Sequence, residues 1–355
     1  MKLALFTQNL CAGGVQKNVK TLVEYFKDKC EIFVILAEDN KEDFYSLDVP
    51  IYRIKTPQIN INEEGIGEWL LSYRASELTK ILDEHRIDSI LSLEDYNNLI
   101  LLRTQLSYNP RKIISVRCSI KDNYSKPVHL LDKEYYLKEI PELYQKADSI
   151  ICVSAHIQKE LENMGIASTL IYNGITPNPL EPSNENLIIN VGRLHPQKGQ
   201  GDLIWVLGAL KNEIDANVVL VGDGPLEAEL KALARDFDIY ERVEFAGFCD
   251  PAPFIKRAKL AVMPSYYEGF SNAALELMAA NRPVLAYDYA GANEIFDEQG
   301  LVSLGDTYWL ALRIKELLSD ENALNELRER QFETAKRFSL DKMLSSYKEV
   351  LLESN

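Results

Sequence analysis

No stretch of this 355-residue chain approaches the ~20 consecutive apolar residues of a membrane-crossing helix, so nothing in it reads as a transmembrane segment. Positive charge is also short. With 39 Lys and Arg against 54 Asp and Glu, the net charge of −15 argues against generic nucleic-acid binding, which needs a basic footprint. The five cysteines (11, 30, 118, 152 and 249) are scattered, odd in number and free of C-x-x-C pairs. Such a set fits reduced thiols in a cytoplasmic protein, not a disulfide framework. No His, Cys or Asp cluster has metal-ligand spacing, so no metal is expected. Without a G-x-G-x-x-G there is no support for a dinucleotide cofactor either.

Apolar residues make up 46% of the chain and charged residues 26%, the proportions of a protein with full cores, and the length suits two domains. The first residues resemble a lipoprotein signal only faintly. Thr7, Gln8 and Asn9 interrupt the apolar run too early, and Leu3 to Thr7 reads as a first β-strand. Gly13 and Gly14 follow, then a helix from Lys17 to Phe26. Further apolar strands come at 32–36, 90–93, 113–116 and 150–154, separated by helical stretches. This alternation predicts a parallel sheet covered on both faces, with function at the carboxyl ends of its strands. The candidates there are Glu94, Asp95 and Asn97 after one strand and Arg117 to Asn123 after the next.

Asn173-Gly174 and three prolines within 177–182 mark a linker. Beyond it the pattern restarts, with strands at 187–192, 217–222, 243–248, 260–265 and 283–287. The most informative stretch follows Leu260 to Ser265. Glu268, Gly269 and Phe270 lie on a strand-to-helix loop, Ser271 or Asn272 is placed to cap a helix, and Glu276 falls about one turn inside it. On one helix two carboxylates eight residues apart would not share a face; with a loop between them they can reach one ligand at two places. The helix start adds free N–H groups and partial positive charge suited to a phosphate. After the 187–192 strand, Gly192-Arg193 and Lys198-Gly199 offer a planar fork and a point charge for the same kind of ligand.

Two other features read as surface. Asp236-Phe237-Asp238 sits at a helix end among charged neighbours. Residues 103–146 carry nine basic side chains (103, 111, 112, 117, 121, 126, 133, 138, 146) against five acidic ones (122, 132, 134, 139, 142), an excess of four positive charges. That stretch is either a mixed solvated surface or an attachment to anionic lipid or a phosphate-bearing acceptor, with Tyr124, Tyr135, Tyr136 and Tyr144 in or under an acceptor groove.

The Glu268…Glu276 string with its Gly-Phe-Ser-Asn insert, together with Arg193 and Lys198, resembles the retaining family 4 glycosyltransferases. Many relatives have Pro where Ser271 stands. The resemblance covers nearly the whole chain and implies the GT-B architecture: two Rossmann-like, doubly wound parallel-sheet domains facing a central cleft. It implies an acceptor-side domain at 1–175, a donor domain at 176–335, and a last helical segment, 336–355, crossing back. The implied activity moves a hexose or N-acetylhexosamine, with retention, from a nucleotide donor, first of all UDP-linked, to a lipid-linked or lipopolysaccharide-type glycan. In that reading Arg193 and Lys198 neutralise the leaving diphosphate without a metal, Glu276 holds the ribose hydroxyls and Glu268 faces the donor sugar. Gly13, Gly14, Gly192, Gly269, Phe270, Ser271 and Asn272 surround the donor, while Arg117, Glu94 and Asn97 lie on the acceptor side. Arg117 stands where many relatives have a His, and a guanidinium cannot act as a base at neutral pH. The implied location is the cytoplasm, at the inner face of the membrane if 103–146 attaches there. Two alternatives stay open: a nucleotide-sugar 2-epimerase or hydrolase on the same plan, and a non-catalytic binder of sugar nucleotides.

Overall fold

Short runs dense in Ile, Val and Leu form the central strands because a parallel sheet covered by helices on both faces buries every side chain along them. The computed structural model describes all residues except 12, 40, 41, 56, 58–65, 125–132 and 353–355, and no side chains at 123, 124 and 133–136. Tyr124, Tyr135, Tyr136, Lys126 and Asp132 therefore lie outside the described side chains. The chain divides into two units, Met1–Asn173 with Asp341–Asn355, and Gly174–Leu340.

The first unit holds β1 (Lys2–Thr7), β2 (Glu31–Leu36), β3 (Ile51–Arg53), β4 (Ser89–Leu93), β5 (Arg111–Val116), β6 (Ser149–Cys152) and β7 (Thr169–Leu170) in the order β3-β2-β1-β4-β5-β6-β7. All neighbouring strands are parallel. The second unit holds β8 (Leu187–Val191), β9 (Asn217–Val221), β10 (Val243–Gly247), β11 (Leu260–Met263), β12 (Val284–Tyr287) and β13 (Leu301–Val302), ordered β10-β9-β8-β11-β12-β13 and again parallel. The strand order reverses between β1 and β4 in one unit and between β8 and β11 in the other. In open sheets of this kind ligands bind outside the strand ends at such a reversal.

The second unit ends after Leu340, a little beyond the 335/336 step expected from sequence. Phe338 belongs to its core, edge-on to Phe270 with centroids 5.2 Å apart. Ile175 accepts from the Leu340 N–H and donates to the Phe338 carbonyl, so the entering and leaving strands of chain run side by side. Among the described residues no helix is long and apolar enough to cross a membrane.

Arg282 anchors the entry to the second unit. It is 2% exposed, and its guanidinium donates to the carbonyls of Ile255 (2.7 Å), Glu181 (2.8 Å), Lys256 (3.1 Å) and Asn281 (3.3 Å). Arg282→Met keeps the bulk and removes every donor, leaving buried carbonyls without partners. The expected loss is roughly 3 kcal/mol, read as a lower urea midpoint at unchanged slope.

Candidate active site

The loops after β8 and β11 flank the reversal point of the second sheet, and they are joined to each other. The Tyr266 N–H donates to the Gln197 carbonyl at 2.8 Å, and the Gln197 side-chain amide donates to the Tyr267 carbonyl at 2.8 Å. Pro196–Lys198 forms one 3₁₀ turn, and Gly199 turns left-handed (φ 64°) into the helix Gln200–Ala209. Any Cβ at Gly199 would collide with the Pro264 carbonyl, so glycine is what lets the first loop lie against the end of β11. A Cβ at Gly192 would meet the Lys198 stem at ordinary van der Waals distance, so the stem runs beside the residue that follows β8.

That ammonium meets Glu268. Lys198 Nζ lies 2.5 Å from Glu268 Oε1, with the side chains 19% and 9% exposed. Arg193, on the same loop, is exposed, and no described residue pairs with its guanidinium. The helix Asn272–Ala279 starts immediately after. Ser271 is its N-cap, its hydroxyl accepting from the Ala274 N–H at 3.4 Å. The first-turn N–H groups of Asn272 and Ala273 point out of the helix start, as at any helix N-terminus. Asn272, Ala273, Glu276 and Ala280 are the half-buried positions of an otherwise buried segment, so Glu276 shares the open stripe with the helix start.

Two of the residues expected around a donor are built into the scaffold. Phe270 is buried against Phe338, and the Ser271 hydroxyl is used in the cap. Gly269 lies between them and Glu268, half-buried. Conversely, sequence reasoning missed three tyrosines. Tyr266 and Tyr287 both donate to Asp202 Oδ2, at 2.8 and 2.9 Å. Burial, reinforced by that bond, pushes the Tyr266 phenol up to about 12. Tyr289 is 4% exposed, its hydroxyl has no hydrogen-bond partner, and burial and then the Glu268 and Glu294 charges push it well above the ordinary phenol value. Only contacts between distant segments single these residues out; their local sequence carries no signal.

In the first unit Glu94 follows β4 with a left-handed backbone (φ 81°), unusual for a non-glycine residue and a mark of a constrained position. Its carboxylate accepts from the Gln8 N–H (3.0 Å), the Thr7 hydroxyl (3.1 Å), Asn97 Nδ2 (3.2 Å) and Gln16 Nε2 (3.5 Å). Asn97 is fully buried and also donates to the Leu93 carbonyl, so it acts on Glu94 from beneath. Gln16 also reaches over Gly13, the residue before the helix Gly14–Phe26. Arg117 is 7% exposed and donates to Asn173 Oδ1 at 2.8 Å, an oxygen shared with Asn18. The structure thus gathers Glu94, Asn97, Gly13 and Gly14 at the β1/β4 reversal. Burial drives the Glu94 carboxyl above the usual carboxylate range, against the hydrogen bonds from Gln8 and Thr7 and the charge of Arg117.

The basic stretch at 103–146 is partly internal. Arg103 pairs with Glu139 and Glu68, Lys112 donates to the Thr104 carbonyl, and Arg117 is buried. Lys121, Lys138 and Lys146 face solvent. Asp238 is solvated as expected, near Lys211 at 3.9 Å. Among the described residues no group of three or more His, Cys, Asp or Glu could hold a metal ion.

The family model for glycosyl transferases group 1 matches residues 175–338, and that for Glycosyltransferase Family 4 matches residues 12–178. A Campylobacter jejuni protein, N-acetylgalactosamine-N,N'-diacetylbacillosaminyl-diphospho-undecaprenol 4-alpha-N-acetylgalactosaminyltransferase, is 26% identical over 99% of both chains. Sucrose-phosphate synthase from Thermosynechococcus elongatus superposes with a TM-score of 0.84 at 20% identity, covering 98% of each chain. An Anabaena protein solved with UDP and glucose gives 0.78 at 19%, covering 99% of each. Likeness at such identities establishes a shared fold.

The Glu94 cluster gives a signed pH prediction. The folded chain holds the Glu94 proton more tightly than the unfolded chain, so this group favours folding below the ordinary carboxylate value and loses that contribution as pH rises through the folded one. The unfolding free energy of the native protein minus that of Glu94→Gln therefore increases as pH falls from about 7 toward about 4.5. Urea titrations across that range read it, and a difference independent of pH would show the carboxyl unshifted.

Proposed function

Because the chain belongs to the group 1, family 4 glycosyltransferases and has their GT-B fold, we propose that it moves a hexose or N-acetylhexosamine from a UDP-sugar to a hydroxyl of a lipid-linked or lipopolysaccharide-type glycan, with retention at the anomeric carbon. The observation that carries the donor side is the meeting of Lys198 with Glu268 beside the start of the helix Asn272–Ala279. One cation, one carboxylate and a row of backbone N–H groups converge there, with Arg193 on the adjoining loop. A departing nucleoside diphosphate accumulates charge as the anomeric bond lengthens, and groups fixed in advance to receive that charge lower the barrier. Lys198, Arg193 and the helix start take that part. Glu276, on the open stripe of the helix, accepts from the vicinal ribose hydroxyls, a geometry suited to a carboxylate. Glu268 faces the sugar and the positive charge that develops on it.

The family supports a transfer without a metal, and these cations meet the diphosphate directly. UDP as the carrier agrees with the ligand in the Anabaena structure, and a polyprenyl-diphosphate glycan as acceptor agrees with the name of the Campylobacter relative. Arg117 and the Glu94 cluster belong to the acceptor side of this reading. Arg117 is permanently charged and cannot take the acceptor's proton, which passes to the donor phosphate. We place the protein in the cytoplasm, meeting the inner membrane face through Lys121, Lys138 and Lys146.

Thermal unfolding with UDP, GDP and ADP tests the donor assignment. A matched nucleotide at 100 times its dissociation constant adds about 2.7 kcal/mol. The expected result is a rise in melting temperature with UDP that Lys198→Ala reduces. No rise with any of the three would remove the nucleotide-donor reading.

A further inference from the structure

In the donor reading above, Lys198 is the residue that grips the diphosphate, yet its ammonium is already held by Glu268 at 2.5 Å. Both side chains are largely buried, and their loops are locked together through Gln197, Tyr266 and Tyr267, so neither end of the pair can drift away. Among the described residues Glu268 receives a hydrogen bond from Lys198 alone. A diphosphate arriving at Lys198 therefore competes with a carboxylate for the same ammonium.

We propose that Glu268 is a specificity-determining residue that works by exchange: it holds Lys198 until an anionic leaving group takes the lysine over, and is thereby released to bind the donor sugar. Glu268 then has two successive partners, and its Oε1 and full charge pass to the second only when the first has left. A free sugar, which carries no anion to draw Lys198 away, meets a carboxylate whose Oε1 and charge are engaged by the lysine. A sugar joined to a diphosphate brings both the competitor and the new ligand. The arrangement thus selects sugars by the group they leave from. It costs nucleotide affinity, because each binding event must displace an internal ion pair. Arg193, exposed and unpaired among the described residues, makes the first contact without displacing anything. No covalent step is involved; one ion pair is replaced by another.

The inference rests on the donor reading, and its test separates the two. Dissociation constants of UDP are measured by calorimetry for the native protein, Glu268→Gln, Lys198→Met and the double variant. Lys198→Met keeps the stem beside Gly192, and melting curves confirm that each variant is folded. Removing the carboxylate's charge frees Lys198, so Glu268→Gln binds UDP more tightly, by about fivefold on the usual strength of a partly screened ion pair. In the Lys198→Met background the same substitution changes UDP affinity by less than about twofold, since the coupling has gone. Turnover with a UDP-sugar falls in Glu268→Gln even as UDP binds better. Equal or weaker UDP binding by Glu268→Gln, or an equal gain in the Lys198→Met background, overturns the exchange and leaves the donor reading in place. A native protein that binds no nucleoside diphosphate overturns both.

Discussion

The joint between the loops after β8 and β11 is the constraint on which the proposed donor site depends. Two hydrogen bonds through Gln197 and a glycine contact at Pro264 make the loops one rigid body. Neither Lys198 nor Glu268 is held by its own backbone alone. Each is placed because the 3₁₀ turn that carries the lysine is hydrogen-bonded to the segment that carries the acid. A side chain at Gly199 would pry the loops apart and separate the pair without touching either charge. Preorganisation here comes from backbone packing, and the charged groups inherit it.

An acidic chain that binds a doubly charged leaving group has to concentrate its few useful cations. The net charge of −15 would repel a nucleotide at long range, but screening confines that field to about one Debye length. In the proposed donor reading, Lys198, Arg193 and the helix start dominate at contact. The pairing of Lys198 with Glu268 also avoids leaving a partly buried ammonium without a counter-charge, which is costly in a protein interior.

The central strands and the alternation that makes both sheets parallel were legible because continuous apolar runs of four to six residues have few other uses. The edge strands β3, β7 and β13 were not, since two or three residues carry no period. The Ser271 cap and the start of its helix could be read from local chemistry, Ser before an Ala-rich stretch. The positions of Glu268, Lys198 and Arg193 on loops after particular strands came from the same reading. What could not be read was contact between segments far apart in sequence. The Lys198–Glu268 pair joins residues 70 positions apart, the Gln8–Glu94 bond 86. The inward turn of Phe270 toward Phe338, and the internal use of Arg103, Lys112 and Arg117, are likewise invisible until the chain is folded. Side chains that look available in sequence are in several cases already spent on the scaffold.

The two units solve the same placement problem in two ways. At each sheet's reversal point a carboxylate on the loop after the second strand, Glu94 after β4 and Glu268 after β11, binds groups on the loop after the first strand. Glu94 is held by several neutral donors from four residues, so displacing it means breaking many bonds at once, and no single ligand atom can compete with them. Glu268 is held by one cation, and a single better anion suffices. The first arrangement is a fixed clamp for the Gly13–Gly14 loop; the second is an exchangeable contact. The difference in donor number and charge, more than any difference in fold, assigns rigidity to one unit's site and responsiveness to the other's.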